Sequence, residues 1–531
     1  MGVADVEDRL LGPTHDDWVG VSHAVLRYVQ ALWFLIARLS VQERIVRLEL
    51  EEEIARRDRI IAEKDLELGR LEQANRLLRE TTRLSSRNSS KPPSSDPPGT
   101  RKPRSERVKG KRQRGGQYGH PFHPRPLVPA DHIPPAHIID HRPATCRACE
   151  HRLEGDDPDP ARHQVVDIPV PAPLVVEHRL HTLCCPACGE RTRAQLPDSV
   201  STTGFGPAVE ATVATLWSSC RLSHRMICDV MGDLFGVRLG LGTVSNLLAR
   251  AGRAVEPRVE EARAHVTTAD EAKHVDETGW FQRGADGSNP KGTKAWLWIA
   301  VTASATVFRL ALSRSQDMAK TMVGTLSAGV LISDRYLGYK FVGVFNRQVC
   351  WAHLLRDFRR IAERSGPSTR IGRGLHAIAK RVFVLWHHYQ EGKLEEEEWR
   401  RRMGELRQRA RELLEQGARF DTRKDEKSER TLTKNTCAEL LKLEPAMWLF
   451  VSRPELGITN NAAERGLRHA VLWRRASFGS QSARGAELVA MMLTVVMTRR
   501  AQSQSVHGYF LAACRAAREG REAPSLLKSA A

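Results

Sequence analysis

The stretch HVDETGW, residues 274–280, places two acidic residues side by side where the surrounding pattern indicates a strand. Side chains alternate between the two faces of a strand, so Asp276 and Glu277 are expected to point in opposite directions. Two interpretations are possible. Either the acids face solvent on an edge strand, or one carboxylate is held rigidly because it binds a metal ion. The neighbouring elements and the positions of other acids bear on this choice.

The pattern after this stretch predicts a particular order of strands and helices. A hairpin of two strands is predicted within 294–313, followed by a helix capped by Ser315 and a strand that ends at Asp334. Another strand and a helix come next. Three antiparallel strands that lead through a helical crossover to a further strand are the order of the ribonuclease H-like fold. The sequence therefore predicts a multidomain α+β protein with an α/β catalytic domain of that type.

Two of the acids are expected to lie side by side in such a sheet. Neighbouring strands are about 4.8 Å apart, so Asp276 and Asp334 can share a hard cation such as Mg²⁺ or Mn²⁺. Two such ions flanking a scissile phosphate would activate the attacking oxygen and stabilise the leaving one. Glu464, near the start of a predicted helix, is the candidate third ligand, and Arg465 and Arg468 beside it are candidate phosphate-binding residues. Each acid taken alone has the alternative of an ordinary surface position.

Several segments together resemble the insertion-sequence 66 family of transposases (TnpC type). The motifs are HVDETGW, SDRYLGY, CWAHLLRDFRR and NNAAERGLR…RRASFGS, preceded by SSRNSSKPPSSD and RGGQYGH, in which Tyr118 stands where the family usually has Pro. The resemblance implies a DDE transposase, which cleaves the ends of its element and joins the freed 3′-OH to target DNA. It implies the catalytic triad Asp276, Asp334 and Glu464. Cys350 and His353 match a C-x-x-H motif whose role is structural or substrate-positioning.

Ten cysteines in a chain without a recognisable export signal favour thiols or metal ligands over disulfides. Two C-x-x-C knuckles, CRAC and CCPACG, predict a structural Zn²⁺ site of the zinc-ribbon type. The predicted ligands are Cys146, Cys149, Cys185 and Cys188. Cys185 is preferred over its neighbour Cys184 because it keeps the two-residue spacing, although that choice stays open.

The charge of the chain points to a polyanionic partner. Lys and Arg number 82 against 63 Asp and Glu, a formal net charge of +19, which favours nucleic acid or an anionic membrane surface. Double-stranded DNA is the expected partner. A Pro-, Ser- and Gly-rich linker carries a basic arm that can bind phosphates, or else is only a solvated tether. The candidate DNA-binding residues of the arm are Arg101, Lys102, Arg104, Lys109, Lys111, Arg112 and Arg114.

The N-terminal region predicts a long helix. A heptad frame over 38–83 places Ile54, Ile61, Leu68 and Asn75 at a positions, which predicts a short dimeric coiled coil with a solvated single helix as the alternative. No uninterrupted apolar run approaches the roughly 20 residues that cross a bilayer. The expectation is therefore a cytoplasmic protein without a membrane span that forms a homodimer or higher oligomer. The family resemblance implies a bacterial protein that acts at the nucleoid, with small accessory proteins of the same element as further partners.

Three helices are predicted between 205 and 255, where 243–251 would face a DNA groove as in a helix-turn-helix. The predicted domains are an N-terminal extension (1–37), a coiled coil (38–83), a basic linker (84–130), a zinc-binding domain (131–200), a helical DNA-binding segment (201–265), a catalytic domain (270–512) with a helical insertion at about 365–455, and a C-terminal tail (513–531). The insertion would contact DNA or a second protomer, or would simply be solvated. The alternative functions are a DNA-binding regulator with an inactive C-terminal domain and a nuclease that hydrolyses but does not join.

Overall fold

The structure is a computed structural model of the chain. It describes residues 20–82, 84–85, 88–89, 125–168, 172–197, 200, 204–324, 326, 329–423 and 428–527. Tyr118 and every residue predicted for the basic DNA-binding arm lie outside this described part. The chain divides into two compact units, of which one contains the N-terminal helix and the other contains the sheet and its helices. A mixed α+β organisation is confirmed.

The N-terminal unit contains one continuous helix, α1, from His23 to Thr82. It starts well before the predicted coiled coil, and Ile54, Ile61 and Leu68 of the predicted heptads are exposed. Part of α1 is long and apolar enough to cross a membrane, judged by length and composition alone. The sequence analysis did not identify this segment because it considered uninterrupted apolar runs, whereas a longer window tolerates isolated charges. A signal sequence or the core helix of a soluble protein meets the same criteria, so the finding is weak support for a membrane role.

Residues 125–200 contain little regular structure where they are described. Two single-turn 3₁₀ helices precede the first cysteine knuckle. A short antiparallel hairpin of β1 (Thr182–Cys184) and β2 (Arg191–Arg193) encloses the second.

Three helices follow, as predicted: α2 (Pro207–Ser218), α3 (His224–Phe235) and α4 (Leu241–Thr268). Gly236 ends α3 in the left-handed conformation with φ of 64°, as is common at helix C-termini. Gly240 is the N-cap of α4, and Gly242 and Thr243 lie in its first turn.

The central element of the second unit is a five-stranded mixed sheet. Its strands are β3 (Lys273–Trp280), β4 (Ala295–Val301), β5 (Thr306–Ala311), β6 (Leu331–Ser333) and β7 (Arg347–Val349), in the order β5-β4-β3-β6-β7. The first three strands are antiparallel, and β6 and β7 run parallel to β3. Helix α5 (Gln316–Val323) connects β5 to β6, and the Ser315 hydroxyl accepts a hydrogen bond from Met318 N, as expected of its cap. Because β3 pairs on both sides, it is not the edge strand of the first interpretation.

Helices occupy the span for which an insertion was predicted. After α6 (Trp351–Ala362) come α7 (Pro367–Gln390), α8 (Glu396–Ala418), α9 (Glu429–Lys442) and α10 (Glu444–Ser452). They share a hydrophobic core of their own, in which the large aromatic side chains Trp351, Trp399 and Phe450 are buried. This core is separate from the one formed by the sheet and the remaining helices.

The last three helices close the sheet domain: α11 (Asn461–Ser477), α12 (Ala483–Ala501) and α13 (Val506–Arg518). The hydroxyls of Thr494 and Thr498 on α12 accept hydrogen bonds from backbone N–H groups of β5. The prediction of a C-terminal tail from residue 513 is wrong. α13 continues to Arg518, and Leu526 is fully buried in the main core, because these apolar residues complete the packing of α4 and α12.

Candidate active site

The register of the central strands brings the first two predicted acids together. Parallel pairing sets His274 of β3 opposite Ile332 of β6, and two further steps along both strands place Asp276 opposite Asp334, just beyond the end of β6. An Asp276 carboxylate oxygen accepts the N–H of Glu277 at 2.8 Å. Neither aspartate forms an ion pair among the described residues, although Asp334 lies close enough to Arg314, Arg335 and Arg347 for their charges to interact.

The third acid, Glu464, lies in the first turn of α11, which packs across β3 and β4. Its charge reaches Asp276. Burial raises the pKa of Asp276 well above its usual range, and the charges of Asp334, Glu277 and Glu464 raise it further. Strand β3, the end of β6 and the start of α11 therefore supply three carboxylates to one region, as the sequence predicted.

Glu277 lies on the other face of β3, also as predicted, and its surroundings differ completely. Its side chain is 1% exposed and accepts a 2.7 Å hydrogen bond from Arg314 Nε and a 2.8 Å bond from the Tyr339 hydroxyl. The Arg314 guanidinium also stacks on Tyr336, 4.0 Å from the ring centre. Burial and the nearby Asp334 raise the pKa of Glu277, and Arg314 opposes that shift. This second acid is therefore neutralised inside the protein.

Asn460 connects the three elements of the site. It is fully buried at the N-cap of α11. Its side-chain Nδ2 donates to the carbonyl of Val275 at 2.8 Å. Its Oδ1, which can only accept, lies 3.2 Å from His274 Nδ1. Its backbone N–H donates to the Cys350 sulfur at 3.2 Å. Nothing in the sequence distinguishes Asn460 from the exposed Asn461 that follows, so its role could not be predicted.

Cys350 joins the second acid to the third. Its backbone N–H donates to the carbonyl of Ser333, directly before Asp334, at 2.9 Å, while its sulfur accepts from Asn460 at the start of α11. Burial raises the pKa of the Cys350 thiol to about 11, so the group is a neutral thiol at ordinary pH. The structure thus supports the structural or positioning role that the sequence assigned to it.

His353, one turn further along α6, lies against Glu464. Its Nδ1 is 3.6 Å from the Glu464 carboxylate, and Arg356 Nη2 is 3.5 Å from the same oxygen. Burial lowers the pKa of His353, and its buried Nδ1 makes no hydrogen bond within the described residues. An uncommitted ring nitrogen beside an acid is thus available to a ligand.

Three potential metal ligands lie close together beside the site. Within the described residues, the ligand atoms of Cys350, His353 and Glu464 all lie within 4.8 Å of one another. The three carboxylates are more widely spread. The neutral Cys350 thiol already accepts a hydrogen bond, and the Arg356 cation lies beside Glu464. These contacts make the sulfur–nitrogen–oxygen group a poor site for a soft metal.

Arg465 and Arg468 lie on the exposed side of α11, next to the catalytic candidate on the same helix. Neither forms an ion pair with a carboxylate within the described residues. Arg465 is close enough to His274 for its charge to lower the pKa of that imidazole, although burial is the larger cause. The two guanidiniums are therefore free to bind phosphates near the acids.

The two cysteine knuckles have the same backbone geometry. The N–H of Cys146 donates to the carbonyl of His151 and that of Cys185 to Glu190, each at 2.8 Å. In both turns the carbonyl of the first cysteine accepts an N–H from four residues later at 2.9 Å. The knuckle pair is thus formed by Cys185 and not by Cys184, whose thiol points to the carbonyl of Gly189.

Backbone N–H groups favour the thiolate form of the first cysteine in each knuckle. The pKa of Cys146 is lowered by the N–H groups of Ala148 and Cys149, and that of Cys185 by those of Cys188 and Ala187. Within the described residues, however, the sulfurs of Cys146, Cys149, Cys185 and Cys188 do not form a group of three within 4.8 Å. Each knuckle is built, but the structure does not bring the two together.

The predicted groove-facing segment 243–251 is largely packed inside the protein. Val244, Leu247 and Leu248 are buried in the main core, which leaves Ser245 and Asn246 exposed at the start of α4. This follows from the length of α4, which spans 28 residues and lies along the sheet domain. Any DNA contact by this segment would involve only its first turns.

Comparison with known proteins adds a family. A family model described as "Transposase IS66 family" matches residues 203–488, more than half of the chain. A second model, described as a "Family of unknown function (DUF6444)", matches residues 29–126. The chain is also similar to "Uncharacterized protein y4hP" of Sinorhizobium fredii (strain NBRC 101917 / NGR234), with 26% identity over 400 residues that cover 68% of each chain. The first match contains all three acids and begins after the cysteine knuckles.

Proposed function

The chain belongs to the IS66 family of transposases, and on that basis we propose that it binds the terminal inverted repeats of a bacterial insertion sequence, cleaves the DNA strands there and transfers the 3′-OH ends to target DNA. The proposed enzyme is of the DDE type, with Asp276, Asp334 and Glu464 as its catalytic residues. The observation that carries the proposal is the convergence of three elements: Asp276 lies opposite Asp334 at the end of the adjacent strand, and Glu464 lies in the first turn of the helix that packs across β3.

The donor set suits a hard divalent cation. Carboxylate oxygens are the ligands that Mg²⁺ and Mn²⁺ prefer, and two like-charged aspartates on adjacent strands are costly to keep together unless a cation compensates them. Asp276, Asp334 and Glu464 would hold two Mg²⁺ or Mn²⁺ ions. When bound, these ions would activate the attacking oxygen and stabilise charge on the scissile phosphate.

The protein's own residues would orient this site and the DNA. Asn460 ties the start of α11 to β3, and Cys350 ties it to the end of β6, so the third acid is fixed relative to the other two. Arg356 contacts the Glu464 carboxylate from the side of α6, and His353 lies beside the same oxygen. Arg465 and Arg468 would bind phosphates of the substrate strand next to the acids.

The strand order supports a ribonuclease H-like catalytic domain. Three antiparallel strands, a helical crossover and two further strands parallel to the first give the order β5-β4-β3-β6-β7. This places one acid within the first strand and another at the end of the fourth, both central in the sheet.

Zinc binding by the knuckles is a separate part of the proposal. Paired backbone hydrogen bonds and thiolate-favouring N–H groups support Cys146, Cys149, Cys185 and Cys188 as ligands of a structural Zn²⁺. We expect Cys185→Ser to lose about one equivalent of zinc by elemental analysis, whereas the adjacent Cys184→Ser retains it. Equal zinc content in the two variants would contradict this assignment.

The proposed partners follow from the same function. Double-stranded DNA of the terminal repeats and of the target would contact the basic arm and the arginines of α11. The exposed apolar residues of α1 support a homodimer or higher oligomer through a coiled coil, and accessory proteins of the same element are possible further partners. Membership of a transposase family favours the cytoplasm over the membrane for α1.

The test uses purified full-length protein, a labelled duplex with the element's terminal repeat, a target duplex and Mg²⁺, with Asp276→Asn alongside. We expect the wild type to cleave and join the end, and the variant to do neither. Cleavage without joining would instead indicate a nuclease. Binding without cleavage by either protein would favour a DNA-binding regulator.

A further inference from the structure

A cluster of basic side chains lies at the far side of α11 from the carboxylates. His469, five residues after Glu464 and thus about 7.5 Å further along the helix axis, points away from the sheet acids. It is 7% exposed and lies where α11 meets the ends of α2 and α12.

The contacts of His469 define its protonation state. Its Nε2 lies 2.8 Å from the carbonyl of Ser218, which can only accept, so this nitrogen carries the hydrogen. Its Nδ1 lies 3.0 Å from Arg221 Nη1 and 3.2 Å from Arg500 Nη1, which can only donate. The imidazole is therefore neutral, in agreement with the lowering of its pKa by burial and by both arginines. One lone pair brings two guanidiniums side by side.

The Arg221 and Arg500 guanidiniums are not neutralised by a carboxylate within the described residues, where neither forms an ion pair. Arg500 also donates to the Ser219 hydroxyl at 2.7 Å, but Arg221 uses only one of its nitrogens and keeps its remaining donors. Arg221 moreover has a φ of 63°, a left-handed conformation that is uncommon and costly for a residue other than glycine.

Two like charges held together at a conformational cost indicate that an anion completes the arrangement. We propose that Arg221 and Arg500, aligned by His469, form a binding site for one phosphate of the DNA backbone. Two guanidinium forks on one side of a phosphodiester match its acceptor geometry. This inference rests on the proposed DNA function. It assigns a DNA-phosphate contact to the junction of α2, α11 and α12, on the same helix that carries Glu464 at its start.

The packing of the junction makes the site rigid. Trp217 on α2 contacts Trp473 on α11 edge to face, with ring centres 4.7 Å apart. The loop that carries Arg221 is thereby fixed to the helix that carries Glu464. A phosphate bound here would set the register of the duplex relative to the carboxylates, as phosphate contacts generally do.

The experiment measures binding of full-length Asp276→Asn protein, which cannot cleave, to a fluorescent terminal-repeat duplex at several salt concentrations. Arg221→Gln and Arg500→Gln in that background should each weaken binding about fivefold to tenfold at about 0.1 M salt and reduce the slope of log K against log salt by about 1. Arg411→Gln, an exposed arginine paired with Glu415, is the matched control and should bind like the background protein.

Replacement of single DNA phosphates by neutral methylphosphonates tests the contact itself. One position should weaken binding in the background protein and have no further effect in Arg221→Gln and Arg500→Gln. Circular dichroism melting establishes that each variant is folded, and Arg500→Gln, at an exposed position, is the safer of the two. Unchanged affinity and salt slope in both folded variants would overturn this site alone, whereas failure of the background protein to bind any duplex would overturn it together with the proposed function.

Discussion

The two faces of strand β3 place chemically similar acids in opposite surroundings. On one face Asp276 meets Asp334 and the charge of Glu464, and neither aspartate forms an ion pair within the described residues. On the other face Glu277 is paired with Arg314 and hydrogen-bonded to Tyr339. The two residues are neighbours in sequence, and both have raised pKa values.

This difference separates an acid that stabilises the fold from one that is available to a ligand. Burying a charge is costly unless it is paired. Glu277 is paired with Arg314, whereas Asp276 forms no ion pair within the described residues. A half-buried carboxylate among other carboxylates is therefore better explained by a bound cation than by folding, and perturbed acids in such clusters are typical of functional sites.

The largest expected effect is on the face of Asp276. Asp334→Asn should lower the single-turnover rate of terminal-repeat cleavage by about a thousandfold or more, because a metal ligand contributes several kcal/mol to the transition state. The melting temperature without added metal should be unchanged or higher, since one of two repelling charges is removed. A cleavage rate within tenfold of the wild type would remove Asp334 from the site.

Glu277→Gln should show the opposite pattern. Arg314 would lose its ionic partner, so the free energy of unfolding in urea should fall by about 2 kcal/mol, a modest value because the Arg314 side chain is 35% exposed. Cleavage per folded molecule should stay within a few fold of the wild type. Undiminished stability, or a loss of cleavage comparable to that of Asp334→Asn, would abolish the distinction between the two faces.

Asn460→Ala tests how the faces are held in register with α11. The carbonyl of Val275 would lose its donor and the third acid its anchor, so cleavage should fall about tenfold, as for supporting residues around a metal site. The exposed Asn461→Ala is the matched control and should cleave normally. If the two variants behave alike, Asn460 does not position the site.

The smallest effect is expected at Cys350. Its sulfur is a weak acceptor and its backbone contact with Ser333 does not depend on the side chain, so Cys350→Ala should reduce cleavage by only about threefold. Elemental analysis of the same variant should find unchanged zinc. Loss of an equivalent of metal would show instead that Cys350 is a ligand.

Much of the sheet was predictable because strand alternation and turn residues are local signals. The order of elements from β3 to β7, the Ser315 cap and the opposite directions of Asp276 and Glu277 all follow from patterns over a few residues. The position of Asp334 at a strand end follows in the same way. These signals sufficed to propose two of the three acids from the fold, and Glu464 from its place at a helix start.

Contacts between distant segments were not predictable. Arg314 pairs with Glu277 across 37 residues, and Asn460 reaches Val275 across 185, because the sheet register and the docking of α11 bring them together. His469 gathers arginines from two other segments in the same manner. The packed C-terminus and the inward face of α4 likewise depend on tertiary burial, which a single helical pattern does not reveal.

The most direct test of the account is calorimetric titration of Mn²⁺ into the full-length wild type, Asp276→Asn and Glu277→Gln at neutral pH. We expect the wild type and folded Glu277→Gln to bind Mn²⁺ with similar affinity and stoichiometry. Asp276→Asn should lose at least one ion or bind it at least about tenfold more weakly. Binding by Asp276→Asn that matches the wild type in both quantities would contradict the claim that these carboxylates form the metal centre.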